Sequence, residues 1–143
     1  MGEWVSEGEA KATPLGPAGK TSGRFSVKWI LNGFYIEWQY SYTTARNQKG
    51  EGREIDCYDP INKTYPGRWF ESDGSYTSGT YSANGNVIGF LGTVTTPTRK
   101  YELRQTYTFA PDSMSYAYKG EISLDGKTWL LENEGKGTKL KSK

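Results

Sequence analysis

The chain of 143 residues contains no histidine and a single cysteine, Cys57. Without histidine it cannot form a Ser-His-Asp or Cys-His nucleophile system, ligate haem iron through a proximal histidine, or supply the usual zinc ligand sets. A lone cysteine forms no intrachain disulfide, and with no histidine to activate it we interpret Cys57 as a small buried hydrophobic side chain. A hard cation held by carboxylates is still compatible with the sequence, but there is no EF-hand-like loop, and we expect no metal and no cofactor.

The chain also lacks any run of about 18 apolar residues, so it encodes no transmembrane helix. Its first ten residues lack the basic and apolar regions of a signal peptide, and we expect a cytoplasmic protein unless a leader has been removed. The net charge is +2, and the charges are mixed rather than gathered in a basic stripe. We expect neither a nucleic-acid nor a membrane partner. The basic segment 136–143 is either an anion-binding patch or a frayed end.

Aromatic residues and glycine are the abundant components of the chain. Aromatics make up 15% of a chain that is only 34% hydrophobic, and eleven of them are tyrosine. Such a composition predicts an interior of rings whose polar tips need hydrogen-bond partners. Eighteen glycines and six prolines predict many turns and few long helices. Turn signals at short intervals separate strand-like segments, and the pattern predicts an all-β fold: one domain, residues 1–143, forming a single antiparallel up-and-down β-barrel of about ten strands.

The strand predictions follow from alternation of side chains. Asn32-Gly33 predicts a two-residue type I′ hairpin turn, after which Phe34, Ile36, Trp38, Tyr40 and Tyr42 share one face of a strand. Further strand-like segments are 86–94, 100–109, 114–122 and 127–134. We expect the irregular stretch 12–23 to cross one end of the barrel.

Several motifs resemble those of a bacterial family of unknown function that is assigned a lipocalin-like, or calycin, β-barrel. The segments LNGFYIEWQY, EIDCYDP, RWFESDGS, SGTY, TFAPD and KGEISLDGKTW carry the resemblance over nearly the whole chain. The family pattern of a Tyr-Asp before a turn, an aromatic residue, a tryptophan and a further turn corresponds here to Tyr58-Asp59, Tyr65, Trp69 and 72–74. The wider fold resembles nitrobindin and the fatty-acid-binding proteins. This chain lacks the histidine of nitrobindin-type haem binding, and residues 12–23 contain no helical lid, so the resemblance implies a fold rather than a ligand.

The first functional hypothesis is a binding protein that holds a small apolar or aromatic molecule in an aromatic-lined barrel cavity. A packed core is the alternative interpretation of the same inward faces, since barrels of this size are either filled or hollow. Gln105 would place a polar group on an otherwise apolar face, as small-molecule sites do. The predicted ligand-contacting residues are Phe34, Ile36, Trp38, Tyr40, Tyr65, Trp69, Gln105, Tyr107, Tyr116 and Tyr118.

The alternative function is a small enzyme that works without histidine, such as an isomerase, a cyclase or a hydrolase, including a glycosidase. A carboxylate inside the barrel would act as base, with Tyr40 or Tyr118 as donor. The candidate carboxylates are Glu37, Glu54 and Asp56. Glu37 points away from the aromatic face. For Glu54 and Asp56 both orientations are open, and we favour the solvated one because buried unpaired acids are uncommon.

Other polar groups have simpler interpretations. Asp59 precedes a proline and is predicted to cap a turn with its side chain. Arg104 is either a surface charge or a group that binds a ligand carboxylate. A third hypothesis is an interaction module, with a homodimer formed through a face of the barrel.

Overall fold

Ten β-strands account for most of the computed structural model, which describes residues 1–141. The strands are β1 Gly2–Ala10, β2 Gly19–Ile30, β3 Tyr35–Thr43, β4 Lys49–Cys57, β5 Tyr65–Glu71, β6 Tyr76–Asn84, β7 Val87–Thr95, β8 Lys100–Phe109, β9 Ser115–Ser123 and β10 Leu130–Lys139. Each strand pairs antiparallel with its sequence neighbours, and β1 pairs with β10 to close the barrel. The predicted all-β, up-and-down barrel is confirmed. None of residues 1–141 belongs to a helix long and apolar enough to span a membrane.

The connections alternate between two ends of the barrel. The upper end carries the segments 11–18, 44–48, 72–75, 96–99 and 124–129. The lower end carries the N-terminus, the connections 31–34, 58–64, 85–86 and 110–114, and the end of β10. Leu15, in the first connection, packs against buried residues of the interior. This contact confirms that the connection crosses one end of the barrel. The predicted extent of 12–23 was wrong, because residues 19–23 pair with β1 as the start of β2.

The inward faces of the strands form two apolar clusters. The upper cluster is Phe90, Val94, Leu103 and Ile122, with Leu15, Trp69, Tyr81 and Tyr101 packed against it. The lower cluster is Trp4, Val27 and Tyr116, surrounded by Phe25, Ile36, Trp38, Tyr107, Phe109 and Tyr118. Much of the interior is therefore packed by rings, which are joined by stacked and edge-to-face contacts at centroid distances such as 4.7 Å for Trp69 and Phe90.

Asn32 and Gly33 have the predicted type I′ conformation, but the connection between β2 and β3 has four residues, 31–34, rather than the predicted two. Asn32 and Gly33 have φ values of 61° and 82°, and the Phe34 N–H donates to the Leu31 carbonyl at 3.3 Å. Leu31 also has a positive φ of 49°, and Phe34 has α-region angles, so the strand ladder ends at the pair Ile30 and Tyr35. The inclusion of Phe34 in the inward face of β3 was wrong, because the chain leaves the extended conformation there and Phe34 is 73% exposed.

The last strand also differs from its prediction. It begins at Leu130 rather than near 127, because Asp125 accepts hydrogen bonds from the Lys127 and Thr128 N–H groups and holds them in a turn. It then runs on through the basic segment to Lys139, between β9 and β1. Residues 136–139 are thus part of the barrel wall, whereas residues 142–143 of that segment lie outside the described residues.

Glycines on the inward face lie opposite large side chains of the neighbouring strand. A Cβ at Gly137 would overlap the ring of Tyr116, and a Cβ at Gly50 would overlap that of Tyr42. Gly137 pairs with Tyr116 in the β9–β10 ladder, and Gly50 pairs with Tyr42 between β3 and β4. The barrel accommodates its rings by pairing the largest residues with the smallest across strands.

Candidate functional site

A cavity of about 520 Å³ opens at the upper end of the barrel. Its walls come from the inward faces of β1, β2, β3, β9 and β10, and the connection 11–18 forms part of its rim. The lining includes Ser6, Leu15, Thr21, Gly23, Tyr42, Tyr118, Glu132 and Asn133. Ligand cavities in proteins span about 300–1,000 Å³, so this one is of a size that admits a small organic molecule.

The cavity wall combines aromatic faces with polar groups. The hydroxyls of Tyr42 and Tyr118 are protonated at physiological pH and can donate hydrogen bonds, and burial raises their pKa above its ordinary value. Burial also raises the pKa of Glu132. The side-chain amide oxygen of Asn133, Oδ1, is buried and has no hydrogen-bond partner among the described residues. At the rim, the Lys11 ammonium lies 2.9 Å from the Glu134 carboxylate.

Two carboxyl groups lie side by side deeper in the barrel. Glu54 and Asp56 alternate with outward residues on β4, opposite Trp38 and Ile36 of β3, and both are buried. The Trp38 indole N–H donates to Asp56 at 2.8 Å, and the Tyr81 hydroxyl donates to Glu54. The second carboxylate oxygen of Asp56 has no hydrogen-bond partner among residues 1–141. A single strand thus presents two adjacent acids to the interior.

The environment of this pair favours its protonated form. Burial raises the pKa of Glu54, and the neighbouring charge of Asp56 raises it further, while the Tyr81 hydrogen bond lowers it. Burial also raises the pKa of Asp56, while the neighbouring Glu54 carboxyl and the Trp38 indole N–H lower it. Two acids this close titrate as one unit, and loss of the first proton opposes loss of the second.

A third acid, Glu71, lies on the inward face of β5 towards the upper end. The Tyr40 hydroxyl donates to it at 2.7 Å, and burial raises its pKa. Within residues 1–141, the ion pairs formed by lysine and arginine all involve other acids. The inward acids Glu54, Asp56 and Glu71 are therefore balanced by neutral donors rather than by cations.

Most of the predicted ligand-contacting residues lie in the packed clusters. Tyr118 lines the cavity, whereas Trp69 belongs to the upper cluster and Gln105 accepts a hydrogen bond from Tyr107. The lower cluster contains Ile36, Trp38, Tyr107 and Tyr116. Tyr40 is half-buried beside Tyr42. The binding roles of these residues stay predictions.

Several predicted placements need correction. Phe34 and Tyr65 lie at the lower rim, where Tyr65 contacts Tyr58 with ring centroids 5.1 Å apart. The solvated orientation that we favoured for Glu54 and Asp56 was wrong, because the β3–β4 register turns both acids inward and places the Trp38 donor within reach. Among the candidate acids, Glu37 is not in the interior.

Glu37 lies on the outer face of the barrel, as its alternation with Trp38 indicates. Lys28 and Arg53 cover it at 3.0 and 3.3 Å, and the Lys28 contact is the main cause of its lowered pKa. An ion-paired acid on the outside cannot act as a base within the barrel, so the structure does not fit the predicted role of Glu37 as a catalytic carboxylate. Two interior residues that the sequence reasoning missed as site groups are Glu71 and Glu132.

The remaining polar residues have structural contacts. Asp59 accepts hydrogen bonds from the Ile61 and Asn62 N–H groups, which confirms its capping role. Arg104 points outward, binds Glu121 with two hydrogen bonds of 2.8 and 3.1 Å and lies over the Trp129 ring. Cys57 is only half-buried and shares the outer face of β4 with Ile55, so its interpretation as a buried core residue was wrong.

Comparison with known proteins adds the family and one structural relative. The crystal structure of Rv2717c from M. tuberculosis matches with a TM-score of 0.70 and 13% identity, covering 99% of this chain and 92% of that one. A likeness at this identity shows the fold alone. No curated protein matches the chain. Residues 1–129 match the family described as protein of unknown function DUF1579, and the chain therefore belongs to this family.

Proposed function

We propose that this calycin-like barrel binds a small molecule in the cavity at its upper end. The observation that carries the proposal is a cavity of about 520 Å³ bounded by the rings of Tyr42 and Tyr118 and the apolar side chain of Leu15. Ser6, Thr21 and Asn133 add hydrogen-bonding groups to the same wall. An apolar surface with a few convergent polar groups is the usual composition of a ligand site. The proposed ligand is a small molecule with an aromatic or apolar body and a few polar substituents.

A variant in which a larger side chain fills part of the cavity tests this proposal. Thr21 points into the cavity from β2, so Thr21→Phe should occupy part of its volume. The matched control is Thr108→Phe, an exposed position on the outer face of β8. We would screen a panel of flavonoid-like, steroid and fatty-acid ligands by thermal shift, together with native mass spectrometry of the freshly purified protein.

We expect at least one ligand of the panel to raise the melting temperature of the wild type and of Thr108→Phe. The same ligand should bind Thr21→Phe about tenfold more weakly or worse, because the phenylalanine ring occupies its site. Equal binding by all three proteins would place the ligand elsewhere. Absence of any shift across the panel, together with no co-purified ligand, would count against the binding function.

A second candidate function is a proton-transfer enzyme of the isomerase, cyclase or hydrolase kind, glycosidases included. The observation that favours it is the buried pair Glu54 and Asp56 with Tyr81 as donor. A buried carboxyl with a raised pKa acts as a general acid or base near neutral pH.

Deuterium exchange from solvent into a panel of ketones would test this second function. We expect Glu54→Gln and Asp56→Asn to abolish the exchange and Glu121→Gln to retain it. Equal exchange by all three variants would exclude Glu54 and Asp56 as the catalytic acid and base.

A bacterial source, a cytoplasmic location and a homodimer formed through a barrel face stay predictions. Light scattering across a dilution series would detect a specific dimer, because its mass would fall on dilution.

A further inference from the structure

Large apolar side chains are exposed together at the lower end of the barrel. Ile61 is 88% exposed and Leu31 is 68% exposed, in addition to Phe34. We name this group the lower tip, and its members are Trp29, Leu31, Phe34, Tyr58, Ile61 and Tyr65. Single exposed apolar residues are common on proteins, whereas a group of them marks an interaction surface.

The lower tip is contiguous because of the β3–β4 register. Tyr35 pairs with Cys57 at the end of the ladder, so Phe34, just before that pair, and Tyr58, just after it, leave adjacent strands at the same end of the barrel. Tyr58 in turn contacts Tyr65, across the connection that carries Ile61. Two adjacent connections, 31–34 and 58–64, thus contribute to one patch.

The backbone shows that this exposure is built into the turn. Leu31 has a φ of 49°, which glycine and asparagine adopt more readily than leucine. The Leu31 backbone carbonyl accepts the turn hydrogen bond, but its side chain is exposed and packs into no core cluster of the described residues. The residue is explained more readily by a contact that the lower tip makes with another surface.

Positive charge accompanies the apolar side chains at this end. Lys63 lies in the same connection as Ile61, and Lys139 and Lys141 lie at the end of β10. The acids of the lower-end connections, Asp59 and Asp112, accept hydrogen bonds from backbone N–H groups beside them. The lower-end connections and the end of β10 together carry three lysines against these two acids.

We propose that the lower tip docks the protein on the surface of an anionic lipid bilayer. Tryptophan and tyrosine with aliphatic side chains suit the boundary between headgroups and acyl chains, and lysines are attracted to anionic headgroups. A protein partner is the less favoured occupant, because protein interfaces are depleted in lysine. The sequence expectation of no membrane partner rests on the lack of a spanning segment, and peripheral docking requires no such segment.

Vesicle co-sedimentation with two matched double variants tests the proposal. Leu31→Asn with Phe34→Ser removes two apolar side chains from the lower tip, and asparagine tolerates the left-handed backbone at 31. Phe70→Ser with Leu91→Ser removes the same pair of residue types from the outer wall, where both are more than half exposed. The vesicles would be phosphatidylcholine alone or phosphatidylcholine with about 30% phosphatidylserine.

We expect the wild type to bind the phosphatidylserine vesicles and to dissociate as salt is raised. The lower-tip variant should bind about tenfold more weakly, and the wall variant should stay within about twofold of the wild type. Circular dichroism and melting temperatures of both variants would establish that they fold. The proposal would be overturned by a wild type that binds neither vesicle, by equal loss in both variants, or by a dimer that only the lower-tip variant disrupts without vesicle binding.

Discussion

At the scale of single residues, the unusual feature is the burial of acids without cations. Transfer of an ionised carboxylate from water into a protein interior is unfavourable unless donors or opposite charges compensate for the lost hydration. Glu54 and Asp56 receive one donor each, from Tyr81 and Trp38. Natural proteins tolerate such unfavourable burial of acids mainly at functional sites. The pair is therefore the first place to look for pH-dependent behaviour.

Glu54→Gln should change how stability depends on pH. The folded pKa of Glu54 lies above its ordinary value of 4.5, so between those two values the folded state binds more protons than the unfolded chain. The free energy of unfolding of the wild type consequently falls as pH rises through this range, by at most about 1.4 kcal/mol per pH unit for one carboxyl. Glu54→Gln has no carboxyl at this position, so its free energy of unfolding should not fall in this way. Urea titrations should show that its stability relative to the wild type increases with pH.

Glu121→Gln is the control of opposite sign. Arg104 holds the pKa of Glu121 below its ordinary value, so Glu121 stabilises the folded protein above pH 4.5 and that contribution disappears as pH falls. This variant should be less stable than wild type at neutral pH and equal to it in acid. Parallel stability curves for wild type and Glu54→Gln would contradict the assignment of a raised pKa to Glu54.

At the scale of elements, alternation predicted strands better than it predicted which face is inside. Segment 100–109 coincides with β8, and its inward face is the predicted one. On β4, by contrast, Glu54 and Asp56 alternate with Ile55 and Cys57. Hydropathy alone would turn Ile55 and Cys57 inward, which is the wrong orientation. Pairing with β3 decides the orientation, because it places the acids opposite Trp38 and Ile36.

The pairing of glycine with aromatic rings gives an element-scale prediction. Gly137→Ala should destabilise the protein by about 1–3 kcal/mol, because the added methyl overlaps the Tyr116 ring in the lower cluster. The loss should shrink in a Tyr116→Leu background, where the ring is absent. Urea unfolding of the four proteins of this cycle measures both effects.

Gly16→Ala is the control for this cycle. A Cβ there would have no neighbour within 4 Å, so its effect should stay within about 0.5 kcal/mol. Equal destabilisation by Gly137→Ala in both backgrounds would mean that the Tyr116 ring is not what requires glycine at 137.

At the scale of the whole molecule, closure depends on the pairing of the first strand with the last. The β1–β10 ladder joins Trp4 to Lys139 and Ala10 to Asn133, residues far apart in sequence. Closure removes the two exposed edges that would otherwise pair with other chains. It also requires a long loop to close, which slows folding relative to local hairpins.

Gly135→Ala should disrupt this closure. Gly135 pairs with Gly8, and a Cβ at 135 would overlap the Glu7 carbonyl oxygen and approach the Gly8 Cα at 2.6 Å. Backbone atoms cannot turn aside as a side chain can, so we expect a loss of about 3 kcal/mol and a greater tendency to aggregate. Urea unfolding and light scattering measure the two effects.

Gly89→Ala is the matched control within a strand of the same barrel. Its nearest neighbour would be the Ser82 hydroxyl at 3.0 Å, which can rotate away, so its loss should be smaller. If both variants lost the same stability, general strand propensity rather than the β1–β10 junction would account for the effect.

The sequence by itself determined the fold class, the approximate number of strands, the β2–β3 turn and the chemistry that a chain without histidine excludes. These are local properties, since turn residues and alternation act over a few positions. Only the tertiary structure decided that Glu54 and Asp56 face inward, that the lysine- and glycine-rich residues 135–139 form wall, and that the rings leave a cavity at the upper end. Those outcomes depend on register and on which side chains meet across strands distant in sequence, and a single strand carries no information about its partner.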